Sequence, residues 1–101
     1  MLRSIYVRMS DAILRFNKAL ANEERMEIIY LLLKHDILYA KKIQQHFYLE
    51  QSTASHHLNI LKKANIIQAI KRGRFVYYQL KKSAIREMLD ELSERLLGDC
   101  A

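Results

Sequence analysis

A mainly α-helical domain carrying one small β-hairpin is what this sequence predicts, and three observations predict it. Apolar residues recur at helical spacing in five separate stretches. Two β-prone runs, residues 66–71 and 74–80, flank Arg72-Gly73, where the chain can turn freely. Zero prolines and two glycines leave few places for long loops, linkers or a domain boundary, so residues 1–101 read as a single domain. With 50% of the residues hydrophobic, such a chain can build a core without staples.

Ser10 and Asp11 suit the start of a helix, and Ile13, Phe16 and Leu20 repeat at helical spacing, so a first helix is expected at about residues 11–21. Asn22 caps the second, with Glu23 and Glu24 in its first turn. From Met26 to Leu33 its apolar residues run nearly all the way round, which predicts a helix buried on most sides at the centre of the core. It should end near Lys34–His35. Ile37-Leu38-Tyr39 is long enough only for a fragment of strand. Residues 40–47 form a short third helix, with Ile43 and Phe47 inward and Lys41, Lys42, Gln44 and Gln45 outward.

After Tyr48-Leu49-Glu50, the stretch Gln51 to Lys63 places Ala54, Leu58 and Leu61 at i, i+4 and i+7 on one helical face. The opposite face carries Ser52, Ser55, His56, Asn59 and the pair Lys62-Lys63. These side chains are short, mostly uncharged and rich in donors and acceptors, with cations at the C-terminal end. Such a helix suits a DNA major groove, where base edges are read and phosphates lie alongside. A plain solvated helix is the competing reading. Two helices joined by a three-residue turn form a helix-turn-helix, about residues 40–64, with the second helix as reader.

Asn65 can end that helix in the left-handed conformation. The hairpin that follows, about residues 66–80, has Lys71, Arg72 and Arg74 around Gly73. Beside a helix-turn-helix, a cationic hairpin tip reads as a wing that lies along phosphates or enters a narrow minor groove. The blander reading is an exposed turn kept soluble by charge. The predicted fold is therefore a winged helix-turn-helix, closed by a last helix at about 83–97 with Ser83 as cap and Gly98 as stop. Ile85, Met88, Leu89, Leu92 and Leu96 stripe that helix, and Arg86/Asp90 and Glu91/Arg95 pair on its polar side. In so small a domain, with the second helix already central, the terminal stripes are best used as a shared two-fold seam. The seam residues expected are Ile13, Phe16, Leu20, Met88, Leu89, Leu92 and Leu96.

Charge supports a polyanionic partner. The net charge of +6 is concentrated in residues 34–86, where eleven Lys and Arg face only Asp36 and Glu50. No helix combines a broad apolar face with a lysine-rich one, as a membrane surface would ask. The longest apolar run, Ile28 to Leu33, is too short to span a bilayer, and residues 1–10 lack the apolar stretch of a signal peptide. One cysteine, Cys100, excludes an internal disulfide framework and fits a reducing cytosol, so a cytoplasmic location is expected. Enzyme readings find no Gly-rich phosphate loop, no Cys-x-x-Cys and no oriented Ser/His/Asp set. The cluster Glu87, Asp90, Glu91 and Glu94, interleaved with Arg86 and Arg95, reads as a solvated ion-pair face.

Three segments in this order resemble the ArsR/SmtB family of bacterial winged-helix repressors over roughly residues 11–96. They are Ala19 to Ile28 (without the proline often found there), Gln51 to Leu58, and Arg72 to Leu80. The resemblance implies a homodimer that binds a palindromic operator on double-stranded DNA and releases it when an effector binds. It places Gln51, Ser52, Ser55 and His56 on the family's DNA-reading positions, and Arg72 and Arg74 on its wing. With Thr53, Asn59 and Lys62 these make the expected DNA-binding set. The family's metal sites do not carry over. Its thiolate pair would fall on Tyr39 and Lys41, and its last-helix site finds Asp90 and Glu94 but no histidine. His35, His46, His56 and His57 do not make up the difference, and Cys100 reads as a loose terminal thiol. No cofactor or metal is expected, and the inducing signal stays unread. A winged-helix module that binds protein, or a non-sensing regulator switched by a partner protein, is the alternative.

Overall fold

The computed structural model describes the backbone of residues 2–98 and the side chains of residues 11–98. In chain order the elements are α1 (Leu2–Leu20), α2 (Glu23–His35), β1 (Leu38–Tyr39), α3 (Ala40–Phe47), α4 (Gln51–Lys63), β2 (Ile67–Arg72), β3 (Phe75–Leu80) and α5 (Lys82–Leu97). Cys100 lies outside the described residues.

Capping chemistry explains most of these boundaries. Asn22 is extended, and its Oδ1 accepts from the Arg25 N–H at 3.0 Å, satisfying one of the donors that a helix start leaves over. α3 stops at Tyr48, which is left-handed at φ 55°, and α4 runs into Asn65 at φ 63°. Two cap assignments need correction. Ser10 does not start α1, which already runs from Leu2, because nothing in residues 2–10 (no Gly, no Pro) breaks a helix there. Ser83 sits inside the first turn of α5, whose N-cap is Lys81. The Lys81 N–H is held by the Ile66 carbonyl at 2.8 Å and its Nζ donates to Asn65 Oδ1, which starts the helix earlier.

The sheet has the order β1-β3-β2 with antiparallel pairing throughout. Register runs from Ile67 opposite Leu80 to Arg72 opposite Phe75, so the two loop residues are Gly73 and Arg74, not Arg72 and Gly73. Gly73 has φ 61° at the first turn position and Arg74 is not among the positive-φ residues. That is the pattern of a II′ turn, which takes glycine there. The short fragment at Leu38–Tyr39 pairs with Tyr78 and Tyr77 and ties the start of α3 to the wing.

One core joins these elements: Phe16 and Ala19 from α1, Ile28, Leu31 and Leu32 from α2, Ile43 from α3, Leu58 and Leu61 from α4, and Ile66, Ile67 and Leu80 from the sheet side. Here α2 departs from expectation. Its inner face is buried, but Met26, Tyr30 and Leu33 are exposed, Tyr30 at 68%. A run of apolar residues tells how much surface a helix offers, and the remaining elements of one chain cover only one side of it. α5 contributes no buried residue at all, although Ile85, Met88 and Leu92 lean on the core.

Candidate nucleic-acid interface

α4 is anchored by Ala54, His57, Leu58 and Leu61, all buried. That leaves Gln51, Ser52, Ser55, His56, Asn59, Lys62 and Lys63 exposed on the opposite side, with Thr53 half-buried at the edge. Helical geometry thus separates an anchoring face from a face of short hydrogen-bonding groups. Glu50 precedes α4 without capping it through its side chain, so the first-turn N–H groups add a positive end to that face.

The wing brings the second group of predicted residues. Lys71, Arg72, Gly73 and Arg74 are all exposed, with Arg74 in the turn itself. The Arg72 guanidinium lies 5.7 Å from the centroid of the Tyr77 ring, a cation–π contact along the strand surface. Behind it Tyr39 meets Phe75 and Tyr77 edge-on at 5.6 and 5.9 Å, so the position where the family resemblance would put a thiolate belongs to an aromatic cluster. Among the described residues, the carboxylates within 4 Å of a basic side-chain nitrogen are Glu91, at Arg95, and Glu24, at the His57 ring. Among the described residues, the cations of α3, α4 and the wing therefore have no carboxylate within salt-bridge distance, which suits them to a polyanion.

Two shallow grooves border the exposed face of α4. One, between α4 and β3, is lined by Ser52, Ser55, His56, Asn59 and Lys62, with Tyr78 from the strand. Burial pushes the Tyr78 hydroxyl above its ordinary value, so it is a neutral donor beside those residues. The other groove, between α3 and α4, sets Lys41 and Gln44 beside Gln51 and Ser55. Lys41, Gln44 and Tyr78 belong with this surface, yet the sequence reading left them out. The outward face of the third helix was the available signal for the first two. The pairing of Tyr78 into the sheet's central strand gave none.

His57 was also missed. It is 6% exposed, beside an exposed His56 whose ring is 6.0 Å away and tilted by 49°. Its Nδ1 is 3.2 Å from Arg25 Nη1 and its Nε2 is 3.4 Å from Glu24 Oε1. No three His, Cys, Asp or Glu side chains among the described residues are grouped to hold a metal ion.

The expected seam residues are divided by the structure. Ile13 and Phe16 are covered by the chain's own core, Phe16 being 2% exposed, and have little surface left for a partner. Leu20, Met88 and Leu92 are half-buried against that core. Leu89 and Leu96 stand exposed at 51% and 76%, with Leu97 next to them. Of the two expected pairs on α5, Glu91–Arg95 forms at 3.7 Å and Arg86–Asp90 is not within ion-pair distance. No described helix is long and apolar enough to cross a membrane.

The sequence profile described as "Bacterial regulatory protein, arsR family" matches residues 22–69, from the cap of α2 into β2. The transcriptional repressor SdpR of Bacillus subtilis is 36% identical over 73 residues, which are 72% of this chain and 80% of that protein. The transcriptional activator HlyU of Vibrio cholerae is 33% identical over 79 residues, 78% of this chain and 71% of that protein. Its solved structure covers 89% of this chain and 96% of its own at 30% identity, with a TM-score of 0.68. A solution structure of a homodimeric winged helix-turn-helix DNA-binding domain from Mycobacterium bovis covers 90% of this chain and 86% of its own, at 26% identity and a TM-score of 0.73. On this sequence identity and this shared fold, the chain belongs to the ArsR family of bacterial transcriptional regulators, whose DNA-binding domain is a winged helix-turn-helix.

Proposed function

We propose that the chain is a homodimeric repressor that reads a palindromic operator, each subunit placing α4 in a major groove and its wing on the flanking backbone. One observation carries this reading: the exposed face of α4 consists of Gln51, Ser52, Ser55, His56 and Asn59, bordered by cations that have no carboxylate partner among the described residues. Gln51 can bond adenine in a bidentate manner, while Ser and neutral His adapt as donor or acceptor. Thr53 serves the edge of the same face, and Lys62, Arg72 and Arg74 meet phosphates. Two-fold pairing is supported by the exposed leucines of α5 and by the homodimeric relative from Mycobacterium bovis. The assignment as repressor rests on likeness to SdpR, set against the activator HlyU.

Selection of bound duplexes from a random pool tests the proposal. An inverted repeat with half-sites about 34–36 Å apart is the expected product. Ser55→Ala or His56→Ala should then cost about 1–3 kcal/mol on that site and little on unrelated DNA. Retention of no duplex at low ionic strength, or a selected site without two-fold symmetry, would overturn it. A promoter fusion carrying the selected site decides the sign: expression should rise when the gene for this chain is removed.

A further inference from the structure

The inference rests on the reading that α4 meets DNA, and concerns what holds α4 in its setting. A guanidinium has only donors and keeps its charge, so the contact between Arg25 Nη1 and His57 Nδ1 requires that Nδ1 carry no proton. The ring hydrogen then lies on Nε2, facing Glu24 Oε1. The other two nitrogens of Arg25 are spent on the end of α1: Nε donates to the Ala19 carbonyl at 2.7 Å and Nη2 to the Lys18 carbonyl at 3.0 Å. Its backbone N–H is fixed by the Asn22 cap. One planar fork therefore joins the last turn of α1, the first turn of α2 and the inner face of α4.

We propose that Arg25 and His57 are positioning residues that set the rotation of α4 about its own axis, and hence which side chains face the bases. Neighbours on a helix are separated by about 100°. Holding the His57 ring inward by a directional bond therefore points His56 and Ser55 outward. Leu58 and Leu61 anchor the same face, but apolar contacts are non-directional and allow a roll that a fork-to-imidazole bond does not. His57 touches no base itself; it acts through its neighbours.

The test compares His57→Leu, which fills the space without an acceptor, with His57→Asn, whose Oδ1 can replace the Nδ1 acceptor. The readout is the ratio of non-specific to operator Kd at fixed salt, with thermal melting alongside. In His57→Leu the ratio should fall by about tenfold, equivalent to about 1.4 kcal/mol, while non-specific binding through cations holds. His57→Asn should restore most of the ratio. If Leu keeps the ratio and Asn loses it, or if the two behave alike, His57 is a packing residue and the proposal fails. Arg25→Lys keeps the charge without the fork and answers the same question should His57→Leu not fold: a comparable loss supports the proposal and full discrimination refutes it. A parent protein that binds no duplex refutes the DNA reading and this role with it, and is told apart because the failure then precedes any substitution.

Discussion

The wing offers the most quantitative test of the proposed contact between this surface and DNA. Arg74 lies in the Gly73–Arg74 turn, exposed, whereas Arg72 is drawn over the Tyr77 ring at 5.7 Å. Each phosphate contact contributes about 0.9 to the slope of log K against log salt, so Arg74→Ala in a symmetric pair should lower the slope by about 1.8. Replacing Arg72 as well should bring the reduction to about 3.6. The two positions should separate in a second measurement. An exposed cation–π contact is worth about 0.5–1 kcal/mol, so Arg72→Ala should also lower the chain's own stability, and Arg74→Ala should not. Anisotropy titrations of a fluorescent operator at several salt concentrations, with urea unfolding of each variant, give both numbers. An unchanged slope in the double variant would remove the wing from the interface. Equal stability losses at both positions would show that the ring contact does not hold Arg72.

Three further outcomes are expected. Asn22→Ala should destabilise the chain by about 1 kcal/mol in urea unfolding, because the Arg25 N–H loses its cap. Leu96→Glu should split the proposed dimer while leaving the fold intact, since Leu96 is 76% exposed in the single chain; an unaltered sedimentation profile would move the seam elsewhere. Burial raises the Tyr78 pKa from its usual 10.0, so the folded chain binds that proton more tightly than the unfolded one does. The stability this contributes is intact below that value and is lost as pH rises past it. Tyr78→Phe should therefore lose less stability than the parent above about pH 10, measured by unfolding at stepped pH.

Some elements were legible because one local rule decided them. The span of α4 follows from Ala54, Leu58 and Leu61 at helical spacing, closed by an asparagine that accepts positive φ. The start of α2 follows from one cap. The hairpin follows from β-prone runs and one glycine, although its loop is displaced by a residue because pairing of Leu80 with Ile67 sets the register from the far end. What stayed hidden depends on packing between distant parts. Ser10 looks like a cap whether or not a helix continues before it. The apolar residues of α2 do not announce which side the rest of the chain will cover. His56 and His57 are the same residue type side by side, and only Arg25, far away in sequence, distinguishes the buried ring from the exposed one. The exposed side of α4 was therefore readable nearly residue by residue, while Lys41, Gln44 and Tyr78 beside it and the struts beneath it were not.

The lack of any buried residue on α5 has a consequence for dosage. On the proposed pairing, a lone chain leaves its last helix wet along an apolar edge, and closing that edge couples folding to subunit abundance. Melting temperature should climb as the sample is concentrated. In a dilute cell the paired form would grow with the square of free chain, so a modest change in synthesis would produce a disproportionate change in operator occupancy.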